Sequence, residues 1–184
     1  MLHNFLFAIW FLLPAAIANA APIFTAVLPG LNKFDAPIDY NKLYKNQPIL
    51  GPHKTWRGLL SGIVVATLVF VLQQYLVRHT GWAATIVTEK EYLRLPLLLG
   101  PLFGFGAIAG DALESFIKRR RNIKSGQSWL VFDQLDYVIG GVLVSLPFVI
   151  LSLHQYALIF VVWFVMHLLA SYVGFKLRLK DSPI

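Results

Sequence analysis

The sequence predicts an all-α integral membrane protein with about five transmembrane helices, its N-terminus outside and its C-terminus cytoplasmic. Three observations carry that expectation. Hydrophobic residues make up 57% of the 184. They come in long runs rather than amphipathic stripes, and a run of about 20 residues is what crosses a bilayer core. Charged residues make up only 14%, against about 25% in an ordinary soluble domain. Most of the charges that do occur lie between the runs, with the basic ones concentrated on alternate connections.

The runs occupy residues 2–21, 59–77, 96–117, 135–153 and 156–175. Backbone groups in lipid must find partners within their own segment, so each run is read as a helix. The first ends in Ala18-Asn19-Ala20, which resembles a signal-peptide cleavage site. No Lys or Arg precedes it, only His3, so an uncleaved helix is expected. The last two runs are separated by a tight turn near His154 and Gln155. Together the five form one membrane-embedded domain over residues 1–184, with no soluble domain left over.

Loop charge sets the orientation. With the N-terminus outside, the inner face holds Lys33, Lys42, Lys45, Lys54 and Arg57 in its first loop. It also holds Lys118, Arg119, Arg120, Arg121 and Lys124 in the second, and Lys176, Arg178 and Lys180 in the tail. That is 13 basic residues against Arg78, Lys90 and Arg94 outside. A bias of this size predicts that both polar segments of interest, 51–58 and 111–136, face the cytoplasm, where nucleotides are. The net charge of +7 fits such loops and also an anionic small substrate. No nucleic-acid partner is expected. The chain has no cysteine, which excludes disulfides and thiolate metal sites.

The third run ends in an acidic face. Asp111, Glu114, Ser115 and Lys118 stand at i, i+3, i+4 and i+7, on one side of a helix. An acid at the centre of a membrane helix costs about 3 kcal/mol, so such residues normally face the bundle interior and pair with something. Gly100, Gly104, Gly106 and Gly110 suit close helix packing. Asp133 and Asp136 follow, three apart, where the fourth helix begins. Capping accounts for one carboxylate at a helix N-terminus more easily than for two. Four carboxylates around a basic loop suit a hard cation, and Mg²⁺ prefers carboxylate oxygen completed by substrate phosphates.

The other polar loop reads Gly51-Pro52-His53-Lys54-Thr55-Trp56-Arg57-Gly58. Gly, Lys, Thr and Arg before a helix can cradle phosphate, although the Walker spacing is absent. A positive-inside anchor is the competing reading. His53 reads as a loop histidine and His167, inside the fifth run, as a packed and hydrogen-bonded one.

Read together, these motifs resemble the CTP-dependent lipid cytidylyltransferases. Gly110-Asp111, Ser115, Lys118-Arg119, Lys124 and Asp133-Gln134-Leu135-Asp136 are similar to the signature of bacterial CDP-diacylglycerol synthase, and Lys54-Thr55-x-x-Gly58 to its upstream loop. The closer resemblance, over nearly the full length, is to the small CDP-archaeol synthase family. It rests on Leu-Pro-Ala-x-x-Ala-Asn-Ala at residues 13–20, Pro-Ile-Asp at 37–39, Lys-Thr-x-Arg-Gly at 54–58, Ser-Phe-Ile-Lys-Arg-Arg at 115–120 and Asp-Gln-Leu-Asp at 133–136. The His-Gly-Gly triplet of the larger bacterial enzyme is replaced here by residues 129–132, which sets the chain with the small family.

The resemblance implies transfer of the cytidylyl group of CTP to a lipid phosphate, giving a CDP-lipid of the archaeol or diacylglycerol type and pyrophosphate. It implies Mg²⁺ as cofactor and a multi-pass cell-membrane enzyme with its site on the cytoplasmic face. Asp111, Lys118 and Asp133 are the expected catalytic residues. Asp111, Asp133 and Asp136 are the expected metal ligands. Lys54, Thr55, Arg57, Ser115, Arg119 and Lys124 are expected to bind substrate. The rivals are a CTP-dependent polyprenol or lipid kinase, a small channel or transporter, and a structural membrane subunit.

Overall fold

The structure, a computed structural model, describes residues 2–87, 89–125 and 127–176. Arg178 and Lys180, counted above with the basic tail, lie outside the described residues. In chain order the helices are α1 (Leu2–Ala26), α2 (Trp56–His79), α3 (Gly81–Ala84), α4 (Glu89–Tyr92), α5 (Leu99–Arg120), α6 (Phe132–Ser145) and α7 (Leu153–Lys176). Three of them, α1, α2 and α7, are long and apolar enough to cross a membrane.

The expected run at 135–153 is only partly helical. α6 starts earlier, at Phe132, and stops at Ser145. Pro147 has no N–H to continue the ladder and its ring crowds the preceding turn. The turn expected at His154 and Gln155 is therefore displaced to residues 146–152, and both residues fall in the first turn of α7. With 14 residues, α6 is about 21 Å long, shorter than the roughly 30 Å hydrocarbon core.

α2 shows how the bundle is turned relative to a soluble protein. Its inward face buries Gly62, Ala66, Phe70 and Gln73. Its outward face exposes Leu60, Val64, Leu68 and Leu72, one residue per turn. Leucines and valine outside, with Gly62 and Ala66 among the inward residues, suit a lipid solvent, in which close backbone approach replaces the hydrophobic effect as the packing force. α5 is packed on both sides, against α6 and α2, and α1 crosses α2, α5 and α7. The core between them holds Phe11, Phe70 and Phe103, with Phe11 edge-on to Phe103 at 5.6 Å.

Glycines set the α5 contacts. A Cβ on Gly104 would lie 2.5 Å from the Cα of Ile63 in α2, and one on Gly106 would lie 2.5 Å from the carbonyl oxygen of Gly140 in α6. Gly110 has the Asp136 carbonyl in the same position. The stripe read from the sequence thus divides between two neighbouring helices.

Pro14 lies inside α1 and withholds its N–H from the carbonyl of Trp10, four residues earlier. Gln73 of α2 supplies the missing donor: its Nε2 donates to Trp10 O at 2.6 Å, and its Oε1 accepts from the Tyr92 hydroxyl at 2.9 Å. Gln73→Leu strands both partners and is expected to lower stability by about 1–3 kcal/mol. Thermal melting in detergent checks this. In a Pro14→Ala background, which restores a helical donor to Trp10, the loss should shrink. Equal losses in both backgrounds would remove the proline from the account.

The connection between α1 and α2 is more ordered than the sequence indicated. A short 3₁₀ turn at Leu31–Phe34 leads to a hairpin of β1 (Leu43–Tyr44) and β2 (Gln47–Pro48). Lys45 and Asn46 both take positive φ, 52° and 59°, as a two-residue type I′ turn requires.

Candidate active site between α2, α5 and α6

A cavity of about 610 Å³ opens where α2, α5 and α6 meet the ends of α1 and α7. Its charged wall begins with the loop before α2. Thr55 caps that helix, its Oγ1 accepting from Gly58 N at 3.2 Å. The preceding Lys54 is held by main-chain pairing: Ile38 N donates to Lys54 O at 2.8 Å and Trp56 N to Ala36 O at 3.0 Å.

Asp39 fixes the same loop from behind. Its carboxylate accepts from the N–H groups of Asn41 (3.0 Å), Leu50 (2.8 Å) and Gly51 (3.2 Å). Burial alone would raise its pKa, but these donors outweigh burial and hold it below the ordinary carboxylate value. The stabilisation is therefore fully present above that ordinary value and is lost as pH falls through the lowered one.

α5 contributes Asp111, Glu114, Ser115, Lys118 and Arg119 to the wall. The helix ends in a Schellman motif: Asn122 has φ 59°, its N–H reaches Arg119 O at 3.2 Å, and Ile123 N–H reaches Lys118 O at 3.0 Å. The basic run at this end divides into separate tasks. Lys118 turns inward. Arg119 is buried and lines the cavity. Arg120 donates to the carbonyls of Tyr44 (2.6 Å), Gln47 (3.3 Å) and Pro48, clamping the hairpin onto α5. Arg121 stacks over the Trp129 ring at 5.1 Å.

α6 supplies Asp133, Gln134 and Asp136. Val131, just before it, takes a φ of 77°, an unfavourable value for a β-branched residue. Gln134 Oε1 accepts from Val131 N at 2.5 Å and Asp133 Oδ2 accepts from Trp129 N at 3.0 Å, so the strained turn is tied at both sides.

The charges are paired across the cavity. Lys54 Nζ donates to both oxygens of Asp111, at 2.7 and 2.6 Å. Lys118 Nζ donates to both oxygens of Asp133, at 2.9 and 3.1 Å, and lies 3.3 Å from Glu114 Oε1. Asp111, Glu114 and Asp136 each offer an oxygen within 4.8 Å of the other two, a spacing that one cation could bridge. Two polar atoms buried on this wall are poorly satisfied among the described residues: Arg119 Nε has no hydrogen-bond partner, and Glu114 Oε1 has only the 3.3 Å ion pair to Lys118.

Of the residues expected from sequence, Lys54, Thr55, Asp111, Ser115, Lys118, Arg119, Asp133 and Asp136 are brought together in the cavity wall. Arg57 instead pairs with Asp35 at 2.7 Å and is not among the lining residues. The Lys124 side chain is exposed on the loop and is not among the lining residues. Glu114 enters the three-carboxylate cluster, whereas Asp133 stands beside that cluster, bonded to Lys118. The signal for Glu114 was its position on the Asp111 face. Asn19, His167 and Ser171 also line the cavity, from α1 and α7.

A family model described as CarS-like, CDP-archaeol synthase, matches residues 1–184. Among curated relatives, the CDP-archaeol synthase of Thermococcus gammatolerans is 36% identical over 185 residues, 99% of this chain and 98% of that protein. Those of Pyrococcus furiosus and Methanocaldococcus jannaschii are each 32% identical, covering 99% and 98% of this chain and 99% and 98% of their own lengths. A solved structure described as an intramembrane enzyme for archaeal membrane lipids biosynthesis aligns with a TM-score of 0.69. It is 30% identical, over 89% of this chain and 91% of that one.

Proposed function

The chain belongs to the CDP-archaeol synthase family, and from that premise we propose that the cavity between α2, α5 and α6 is its catalytic site. The chain is a membrane CTP-dependent cytidylyltransferase that converts a lipid phosphate to a CDP-lipid. The lipid is an archaeol-type phosphate, as the relatives' names suggest. Residues 1–184 act as one domain, with α5 and α6 completing five passes. The N-terminus is outside and the cavity faces the cytoplasm, in keeping with the distribution of basic loops.

One observation carries the site assignment. A buried donor with no partner among the described residues, Arg119 Nε, lies in the same wall as the carboxylate cluster of Asp111, Glu114 and Asp136. Buried polar groups are seldom left unsatisfied, so the wall is built for a cation and an anion together. A metal-bound triphosphate is both. The donor set is all carboxylate, which fits Mg²⁺ rather than a softer metal. Asp111, Glu114 and Asp136 would hold it. Asp133 would join them once Lys118 turns to phosphate. Bound there, Mg²⁺ supplies neutralisation of triphosphate charge.

The remaining chemistry falls to the chain's own side chains. Lys54, Lys118 and Arg119 orient the triphosphate and stabilise charge developing on the pyrophosphate leaving group. Ser115, one turn past Asp111, donates to a phosphate oxygen. Thr55 keeps the Lys54 loop against α2. Arg57 and Lys124 serve the approach of the anion from outside the cavity. No general base is needed, because the attacking lipid phosphate is already ionised. Positioning and charge neutralisation are the main requirements.

Labelled nucleotide tests the reaction. With α-labelled CTP the label enters lipid, and with γ-labelled CTP it leaves as pyrophosphate. Transfer of γ label to lipid would make the chain a lipid kinase instead.

A further inference from the structure

The cavity has a second wall that the cytidylyl-transfer reading leaves without a task. Its charged wall belongs to α2, α5 and α6. The rest of the lining comes from α1 and α7 and holds no Asp, Glu, Lys or Arg: Asn19, His167 and Ser171 stand beside Pro22 and Ile23. Between Ala157 and Ala170 α7 is apolar at every residue but His167, and Ser171 follows one turn later on the same face. Polar groups in a membrane helix usually mark a substrate path. Ser171 is 3% exposed, so it faces inward rather than into lipid.

The imidazole is held in place from α6. The Tyr137 ring stacks on His167 at 5.9 Å, and the Tyr137 hydroxyl donates to Trp163 O, one turn before His167, at 3.3 Å. Tyr137 directly follows Asp136, so His167 is registered against the carboxylate cluster through one peptide unit. On the same wall Ile23 both lines the cavity and is 66% exposed on the apolar outer surface. Beside Ile23 the cavity therefore opens onto the apolar outer surface, whereas at Ser125, Gln127 and Ser128 it is bounded by the loop between α5 and α6.

The two ends differ in the way the two substrates differ. A nucleotide triphosphate needs cations and a metal; a lipid phosphate needs a polar site whose exit is hydrocarbon. We infer that His167 and Ser171 are the specificity-determining residues for the lipid phosphate, donating hydrogen bonds to its non-attacking oxygens while the hydrocarbon leaves beside Ile23. Donors that carry no permanent charge suit this position. They orient a phosphate monoester, and they release the diester-like product more readily than a fixed cation would. The inference rests on the reading of the cavity as the catalytic site.

Steady-state kinetics on purified protein in detergent test it, varying lipid phosphate at saturating CTP and Mg²⁺, then CTP at saturating lipid. His167→Ala raises the KM for lipid phosphate about 10-fold or more, as expected for loss of one hydrogen bond to a charged oxygen. The KM for CTP stays within about twofold. Ser171→Ala acts in the same direction and less strongly, and His167→Gln, which keeps a donor, recovers part of the loss. Should His167→Ala melt early, Ser171→Ala and His167→Gln decide the question. A rise in the KM for CTP, or an unchanged KM for lipid in variants that melt like wild type, overturns the inference. Thermal protection of wild type by CTP with Mg²⁺ separates the two readings. Its absence removes the cavity assignment itself; its presence, with an unchanged lipid KM in the variants, removes only the role of His167 and Ser171.

Discussion

Asp111→Asn lowers the rate of cytidylyl transfer about 10²-fold or more while leaving the bundle folded. The substitution keeps the volume of the side chain and removes one charged oxygen from the cluster with Glu114 and Asp136. A ligand supplying a few kcal/mol of transition-state stabilisation accounts for a loss of that size. Folding is spared for a specific reason. Lys54, the partner stranded by the change, is 19% exposed at its side chain and borders the open cavity, where water can solvate it. Raising Mg²⁺ should recover part of the rate, because weakened metal affinity yields to mass action. A purely structural Asp111 makes the opposite forecast: early melting, and activity that follows the folded fraction. Near wild-type turnover by a folded Asn variant at limiting Mg²⁺ would falsify the metal assignment.

Gly106→Ala is expected to have a large effect on folding. The added methyl would lie 2.5 Å from the carbonyl oxygen of Gly140 and 2.9 Å from the carbonyl carbon. Both are backbone atoms in the middle of α6, so relief requires moving a whole helix rather than a rotamer. Overpacking of a tight contact typically costs about 1–3 kcal/mol, and a backbone contact belongs at or beyond the upper end. Loss of monodisperse elution, or a fall in melting temperature of several degrees, is the readout. Gly81→Ala is the control, since nothing lies within 4 Å of the new atom. Equal melting of the two variants would mean that α5 and α6 do not need their close approach.

Much of this was legible beforehand, for reasons particular residues make plain. Long apolar runs announce helices because lipid leaves the backbone no other solution, and α1, α2, α5 and α7 lie close to where the runs lie. The grouping of Asp111 with Glu114 followed from helical periodicity. The pairing across helices did not. Sequence spacing tells which face a carboxylate takes, but not how far one helix is slid along the next. That offset is set by backbone contacts such as Gly110 against the Asp136 carbonyl, which draw Asp136 rather than Asp133 level with Asp111. The hairpin at 43–48 was missed because its positive-φ turn uses Lys45 and Asn46 rather than a glycine. The early end of α6 was signalled by Pro147, but the run stays apolar beyond it.

The lysines that sit on the carboxylates have a thermodynamic consequence. Lys54 holds Asp111 and Lys118 holds Asp133, so the site carries its own counter-ions. A free divalent cation entering alone would compete with these ammonium groups for the same carboxylates. A triphosphate entering with it gives the displaced ammonium groups new acceptors. Cation and nucleotide are therefore coupled ligands: each raises the affinity for the other by the same factor. Calorimetric titration should find weak binding for either one alone and a cooperative pair when both are present.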